Sequence, residues 1–177
     1  MEKITIVING VGGCGKDTLV EILSSYKKVK NVSSITPVKE IASYCGWNGE
    51  KTNEARKFLS DLKKILTEYN EYPLRYLLAE QEEFLASDEE FMFVHIREPH
   101  EIEKFKKASK TSKTYALLVK PRAELQNKVY GNKSDDEVEK YNYDFVFSND
   151  KPLEIIQKEW IDFVENEIVN YAPEKGE

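Results

Sequence analysis

The chain has 177 residues, 40% of them apolar and 11% aromatic, which suits one domain with a substantial core. Its net charge of −6 argues against non-specific partnership with nucleic acid or with an anionic membrane. No apolar stretch reaches the ~20 residues of a membrane span, and the residues after Met1 read as a short strand and not a signal peptide, so a cytoplasmic location is expected.

The first predicted element is the apolar run Ile4-Thr5-Ile6-Val7-Ile8, a strand. Gly10-Val11-Gly12-Gly13-Cys14-Gly15-Lys16-Asp17-Thr18 follows it and leads into the helical pattern Leu19, Val20, Ile22 and Leu23. Strand, glycine-rich turn and helix in that order are the setting of a phosphate-binding loop. Backbone N–H groups in such a turn face inward onto phosphate oxygens. The helix terminus adds partial positive charge, and a lysine reaches the outer phosphates. Gly10, Gly12, Gly13, Cys14, Gly15, Lys16, Asp17 and Thr18 are therefore the expected nucleotide-binding residues. Asp17 stands where Ser or Thr usually follows the lysine, and either Asp17 or Thr18 is expected to hold Mg²⁺, directly or through water. Cys14 lies inside this loop and Cys45 in a helical stretch; both are expected to be reduced and non-catalytic.

Further along, 91–96, 114–119 and 143–147 are short, nearly continuous apolar runs, with a weaker strand candidate at 29–36. Helical faces lie between them. Val38, Ile41, Ala42 and Cys45 share one, and Phe58, Leu59, Leu62, Ile65, Leu66 and Tyr69 share the next. Pro73 opens a helix facing inward through Leu74, Leu77, Leu78, Gln81 and Leu85; Pro99 opens one with Ile102, Phe105 and Ala108. The last helix opens near Asp150 and Pro152 and carries Ile156, Trp160, Phe163 and Val164. Strands alternating with helices predict one α/β domain over 1–177, with a doubly wound, five-stranded parallel sheet that binds ligand at its carboxyl edge. Two stretches exceed the minimal alternation: 37–88, with three helices, and the polar segment 121–141.

The loop's Gly-Lys-Asp-Thr resembles the phosphate loop of deoxynucleoside monophosphate kinases, within the wider P-loop nucleoside and nucleotide kinases. Thr36-Pro37-Val38-Lys39-Glu40-Ile41-Ala42 is similar to that family's segment after the second strand, and Gly46–Thr52 with Ala55–Leu59 to the segment after that. His95-Ile96-Arg97-Glu98-Pro99-His100-Glu101 resembles the segment after the third strand, and Tyr143–Asp150 the strand and Asn-Asp turn near the adenine site. The resemblance implies ATP and Mg²⁺ as cofactors and a small-molecule nucleotide as substrate, and it leaves the oligomeric state open. It makes 37–88 the acceptor-binding region, with Lys39, Arg56 and Arg75 as acceptor ligands, and 121–141 a short lid. Lys16, Arg97 and Arg122 become the catalytic cations and Asn149 a nucleotide contact. Arginine at just four positions, against 22 lysines, agrees with such special use.

His95 departs from this pattern, since the relatives carry an acid there and imidazole is a poor Mg²⁺ ligand. Asp17 and Glu98 are the nearest replacements. Asn132-Lys133-Ser134-Asp135 matches a guanine-reading motif but follows no apolar strand, and it is read as coincidence. The rival readings are a kinase of another phosphorylated molecule, such as dephospho-coenzyme A, and a nucleotide-binding protein with little turnover.

Overall fold

Five parallel strands order the molecule as β2-β3-β1-β4-β5. The structure is a computed structural model and describes residues 2–121 and 138–171. Arg122 and Asn132–Asp135 lie outside the described residues, as does most of the expected lid. The elements run β1 (Ile4–Asn9), α1 (Lys16–Ser24), β2 (Val29–Ser33), α2 (Thr36–Tyr44), α3 (Asn53–Asn70), α4 (Tyr72–Ala86), β3 (Phe91–His95), α5 (Pro99–Ala108), β4 (Lys113–Lys120), β5 (Phe145–Ser148) and α6 (Leu153–Phe163). A wider-wound turn, Val164–Val169, continues α6.

The two-residue period of a strand splits the core into two layers. Ile4, Ile6 and Ile8 point to one face with Phe91, Phe93, Leu117 and Val119, where Leu19, Leu23, Ile156 and Trp160 of α1 and α6 cover them. Val7, Met92, Val94 and Ala116 point to the other face, against Leu77 and Phe84 of α4 and Ile102 and Phe105 of α5. Both faces of β1 are thus buried, as its unbroken apolar run requires. Pro37, Pro73 and Pro99 sit in the first turns of α2, α4 and α5, where a missing N–H costs nothing. Thr52 caps α3 by accepting a hydrogen bond from Ala55 N at 3.1 Å.

Two expectations change. The strand predicted over 29–36 stops at Ser33, because Pro37 fixes the start of α2 and turns the chain out of the sheet. The apolar face predicted for α3 is not a core face. Of its 18 residues Ala55 alone is buried, while Phe58, Ile65 and Tyr69 are exposed. The reason is position: α3 packs on α2 and α4, which separate it from the sheet.

Gln81 of α4 holds a buried polar knot at the amino ends of β1 and β4. Its Nε2 lies within hydrogen-bond distance of Thr5 Oγ1 (3.1 Å), Thr111 Oγ1 (3.0 Å) and Ser109 Oγ (2.8 Å), its two N–H groups shared among the three hydroxyls, and its Oε1 accepts from Lys110 N (2.9 Å). Replacing Gln81 by leucine leaves the hydroxyls bonded to one another, Thr5 to Thr111 and Ser109 to Thr114. The Lys110 N–H alone loses its partner. We therefore expect Gln81→Leu to cost about 2 kcal/mol in urea denaturation, with an unchanged m-value.

Candidate functional site

All five strands send their carboxyl ends to one edge of the sheet, and the predicted site lies there. β1 runs into the glycine turn, which ends at the amino terminus of α1. Gly15 is the capping residue, with φ +89°, and no side chain caps the helix. The amides of Lys16, Asp17 and Thr18 therefore have no intrahelical partner, and the helix dipole adds to their positive potential. Lys16 folds back across the turn: its Nζ donates to Gly10 O at 2.6 Å and to Val11 O at 3.2 Å, and lies 3.5 Å from Cys14 Sγ. The loop thus carries an ammonium on its carbonyls next to a helix start that no side chain caps. Gly12 and Gly13 form the outer rim, with Gly13 exposed, while Cys14 is buried beneath them.

Two of the glycines are demanded by neighbours. A Cβ on Gly10 would stand 2.6 Å from Val119 O, a backbone atom of β4 that cannot yield. A Cβ on Gly15 would overlap the side-chain amide of Asn149, whose Nδ2 donates to Cys14 O at 2.8 Å. Asn149, expected as a nucleotide contact, thus braces the loop from β5. Gly15→Ala meets both the overlap and a left-handed φ. We expect it to weaken ATP binding about tenfold, with partial recovery in Gly15→Ala/Asn149→Ala, which removes the overlap but keeps the strain. Calorimetric titration of the two variants checks this.

At the end of β3, His95 Nε2 lies 2.9 Å from Asn31 Oδ1. Its other neighbour is Asp17 Oδ1, at 3.9 Å. Burial pushes the imidazole down to about 4; Asp17 opposes this, and Lys16 and Arg97 add to it. His95 is therefore neutral across the physiological range, and a group this weakly basic is a poor general base near pH 7. Of the two proposed replacements for the missing acid, Asp17 stands beside His95 and Glu98 is committed elsewhere. Lys63 of α3 reaches Glu98 at 2.7 Å and Glu101 at 2.8 Å, all three at most one-quarter exposed. Against the penalty of burial, Lys63 holds Glu98 below the usual carboxylate range. Burial and the Glu98 charge push Glu101 up to about 7 in spite of the same lysine.

Arg97 is exposed, two residues past β3. Lys39, Arg56 and Arg75 are exposed on α2, α3 and α4, the three helices inserted between β2 and β3. Asp17 and Thr18 are exposed in the first turn of α1. They offer carboxylate and hydroxyl oxygens, the donor type a hard cation takes with water filling its remaining positions. Among the described residues no three His, Cys, Asp or Glu side chains cluster as a protein-only metal cage. No described helix is long and apolar enough to cross a membrane. Sequence reasoning gave no part to Asn9, Asn31 or Lys63. A polar residue closing the apolar run of β1 is the one signal that pointed to any of them.

No protein-family model matches the chain, and no curated protein matches it in sequence. Solved structures do match in fold. A shikimate kinase from Aquifex aeolicus superposes with a TM-score of 0.50 at 14% identity, covering 92% of this chain and 96% of its own. The protein TT1252 from Thermus thermophilus superposes with a TM-score of 0.54 at 18% identity, covering 93% of this chain and 98% of its own. The fold is that of the α/β P-loop proteins, and the likeness runs across nearly the whole chain.

Proposed function

We propose that this protein is a phosphotransferase that moves the γ-phosphoryl group of ATP to a nucleoside monophosphate. The observation that carries the proposal is the pairing of Lys16 Nζ, seated on Gly10 O at 2.6 Å, with the uncapped amides opening α1. The amides of residues 13–18 cradle the donor phosphates and Lys16 bridges the outer ones. Asp17 and Thr18 would hold Mg²⁺, which would offset negative charge on the donor phosphates. Arg97, at the edge of the same strand end, stabilises the group in transit. The insertion 37–88 supplies Lys39, Arg56 and Arg75 to the acceptor phosphate. An oxygen of that phosphate forms the new P–O bond as the bond to the leaving ADP breaks. Neutral His95 takes no proton in this scheme.

A second reading, a nucleotide-binding protein with little turnover, is favoured by one observation: a neutral imidazole occupies the strand end where an acid was expected. One experiment separates the two. Purified protein with Mg-ATP is offered ribo- and deoxynucleoside monophosphates and dephospho-coenzyme A, and products are read by chromatography. Phosphorylation of a monophosphate with matching ADP release is expected. Micromolar ATP binding with no product from any acceptor would replace the proposal with the second reading.

A further inference from the structure

Asn9 closes β1, is 1% exposed, and has no role in the phosphate-loop pattern. Ile4, Ile6, Val7 and Ile8 of the same strand are apolar, so sheet packing alone does not call for a carboxamide here. Every polar atom of that carboxamide is used. Oδ1 accepts from Gly10 N at 2.8 Å, while Nδ2 donates to Arg97 O at 3.0 Å and to Tyr143 Oη at 2.8 Å. The Tyr143 hydroxyl donates onward to Val138 O at 2.7 Å. Burial raises that phenol to about 12, so it keeps its proton at any working pH. One buried side chain thus joins the first amide of the phosphate loop to segments 88 and 134 residues away. The register shows why a tie is needed. The β1–β3 ladder ends at Ile8 and His95, so Arg97 lies past the last paired position.

We propose that Asn9 is a positioning residue: its carboxamide sets the backbone of Arg97 against the phosphate loop, so that the guanidinium and the loop amides address the same phosphoryl group. The inference rests on the phosphotransferase reading for its consequence, but the tie itself is geometric. A backbone displaced by about 1 Å at such a site costs on the order of 10²-fold in rate. Ground-state binding by the loop and Lys16 is left largely intact.

The test compares wild type, Asn9→Ala and the isosteric Tyr143→Phe with Mg-ATP and the accepted monophosphate. Asn9→Ala is expected to lower kcat about 10- to 100-fold while KM for ATP stays within about threefold. Tyr143→Phe, which removes one of the three partners, is expected to fall between it and wild type. An unchanged kcat in Asn9→Ala, or a rise in KM alone, overturns the proposal. If wild type transfers phosphate to no acceptor, the functional reading has failed, and amide hydrogen exchange then decides the tie. Faster exchange at Gly10 and at 97–98, with β1 and β3 still protected, supports it; unchanged exchange there, or loss of protection throughout, overturns it. If Asn9→Ala does not fold, Tyr143→Phe carries both readouts, with the same outcomes for and against.

Discussion

Lys16→Ala is expected to lower kcat/KM for phosphoryl transfer by 10²- to 10³-fold or more while leaving the protein folded. The two halves of this expectation have separate causes. The ammonium is hydrogen-bonded inside the loop, at 2.6 and 3.2 Å from its carbonyls. Lys16 is itself the first residue of α1, whose start no side chain caps. In the transition state, negative charge spreads over the moving group and its bridging oxygens. A fixed cation at that point gains more there than against bound ATP, and losing one such contact costs about 3–4 kcal/mol. ATP affinity should fall less than the rate, because the loop amides remain. Stability should barely change: Lys16 is half-buried at a rim, and water can take over the hydrogen bonds to Gly10 O and Val11 O. Steady-state kinetics and a thermal melt on the same sample check both halves. Lys16→Arg should not restore the rate, since a planar fork cannot occupy a turn that fits a point charge.

Lys63→Met should be the most destabilising substitution in the inserted region, by about 3 kcal/mol near pH 8, or roughly 6–12 °C in Tm. Lys63 lies between Glu98 and Glu101, at 2.7 and 2.8 Å, and is 13% exposed on its side chain. Methionine fills the volume but removes the ammonium that the two neighbouring carboxylates share, and one of them already resists ionising. Glu101 has a folded-state pKa raised from 4.5 to about 7, so the folded state holds more protons than the unfolded one in that window. Its contribution to stability therefore declines as pH rises from about 4.5 through 7. Glu98 is lowered, so its contribution is present above its ordinary value and is lost as pH falls. Without Lys63 the Glu98 benefit shrinks and the Glu101 penalty grows. The gap between wild type and variant should thus be wide at pH 8 and narrow at pH 5, where Glu101 is protonated. Glu101→Gln in the Lys63→Met background should recover part of the loss at pH 8 and little at pH 5. Urea titrations at the two pH values test this.

The parts legible in the sequence are those written in local spacing. The glycine turn declares itself because Gly10, Gly15 and Lys16 must fall at fixed intervals between a strand and a helix. β1, β3 and β4 declare themselves because both their faces are buried, which enforces an unbroken apolar run. β2 was legible only in part. Its exposed Asn31 weakens the pattern, and the apolar Ile35 beyond it belongs to the turn before α2. The α3 stripe misled because helical periodicity reports which residues share a face, not whether the sheet lies opposite it. The site was half legible. Lys16 and the loop were read from motif alone, and Asn149 was placed at the right edge through its resemblance, although its amide braces the loop. The Asn9–Tyr143 and Lys63–Glu98 pairings span 134 and 35 residues and depend on topology, which no spacing rule encodes.

The proposed function puts phosphate on the amino terminus of α1, and backbone-amide NMR during titration with Mg-ATP is its sharpest test. Saturable shifts that are largest at residues 13–18, and that shrink in Lys16→Ala, are predicted. Amides at 13–18 that stay put while ATP reaches millimolar concentration, or shifts centred on another surface, would contradict it.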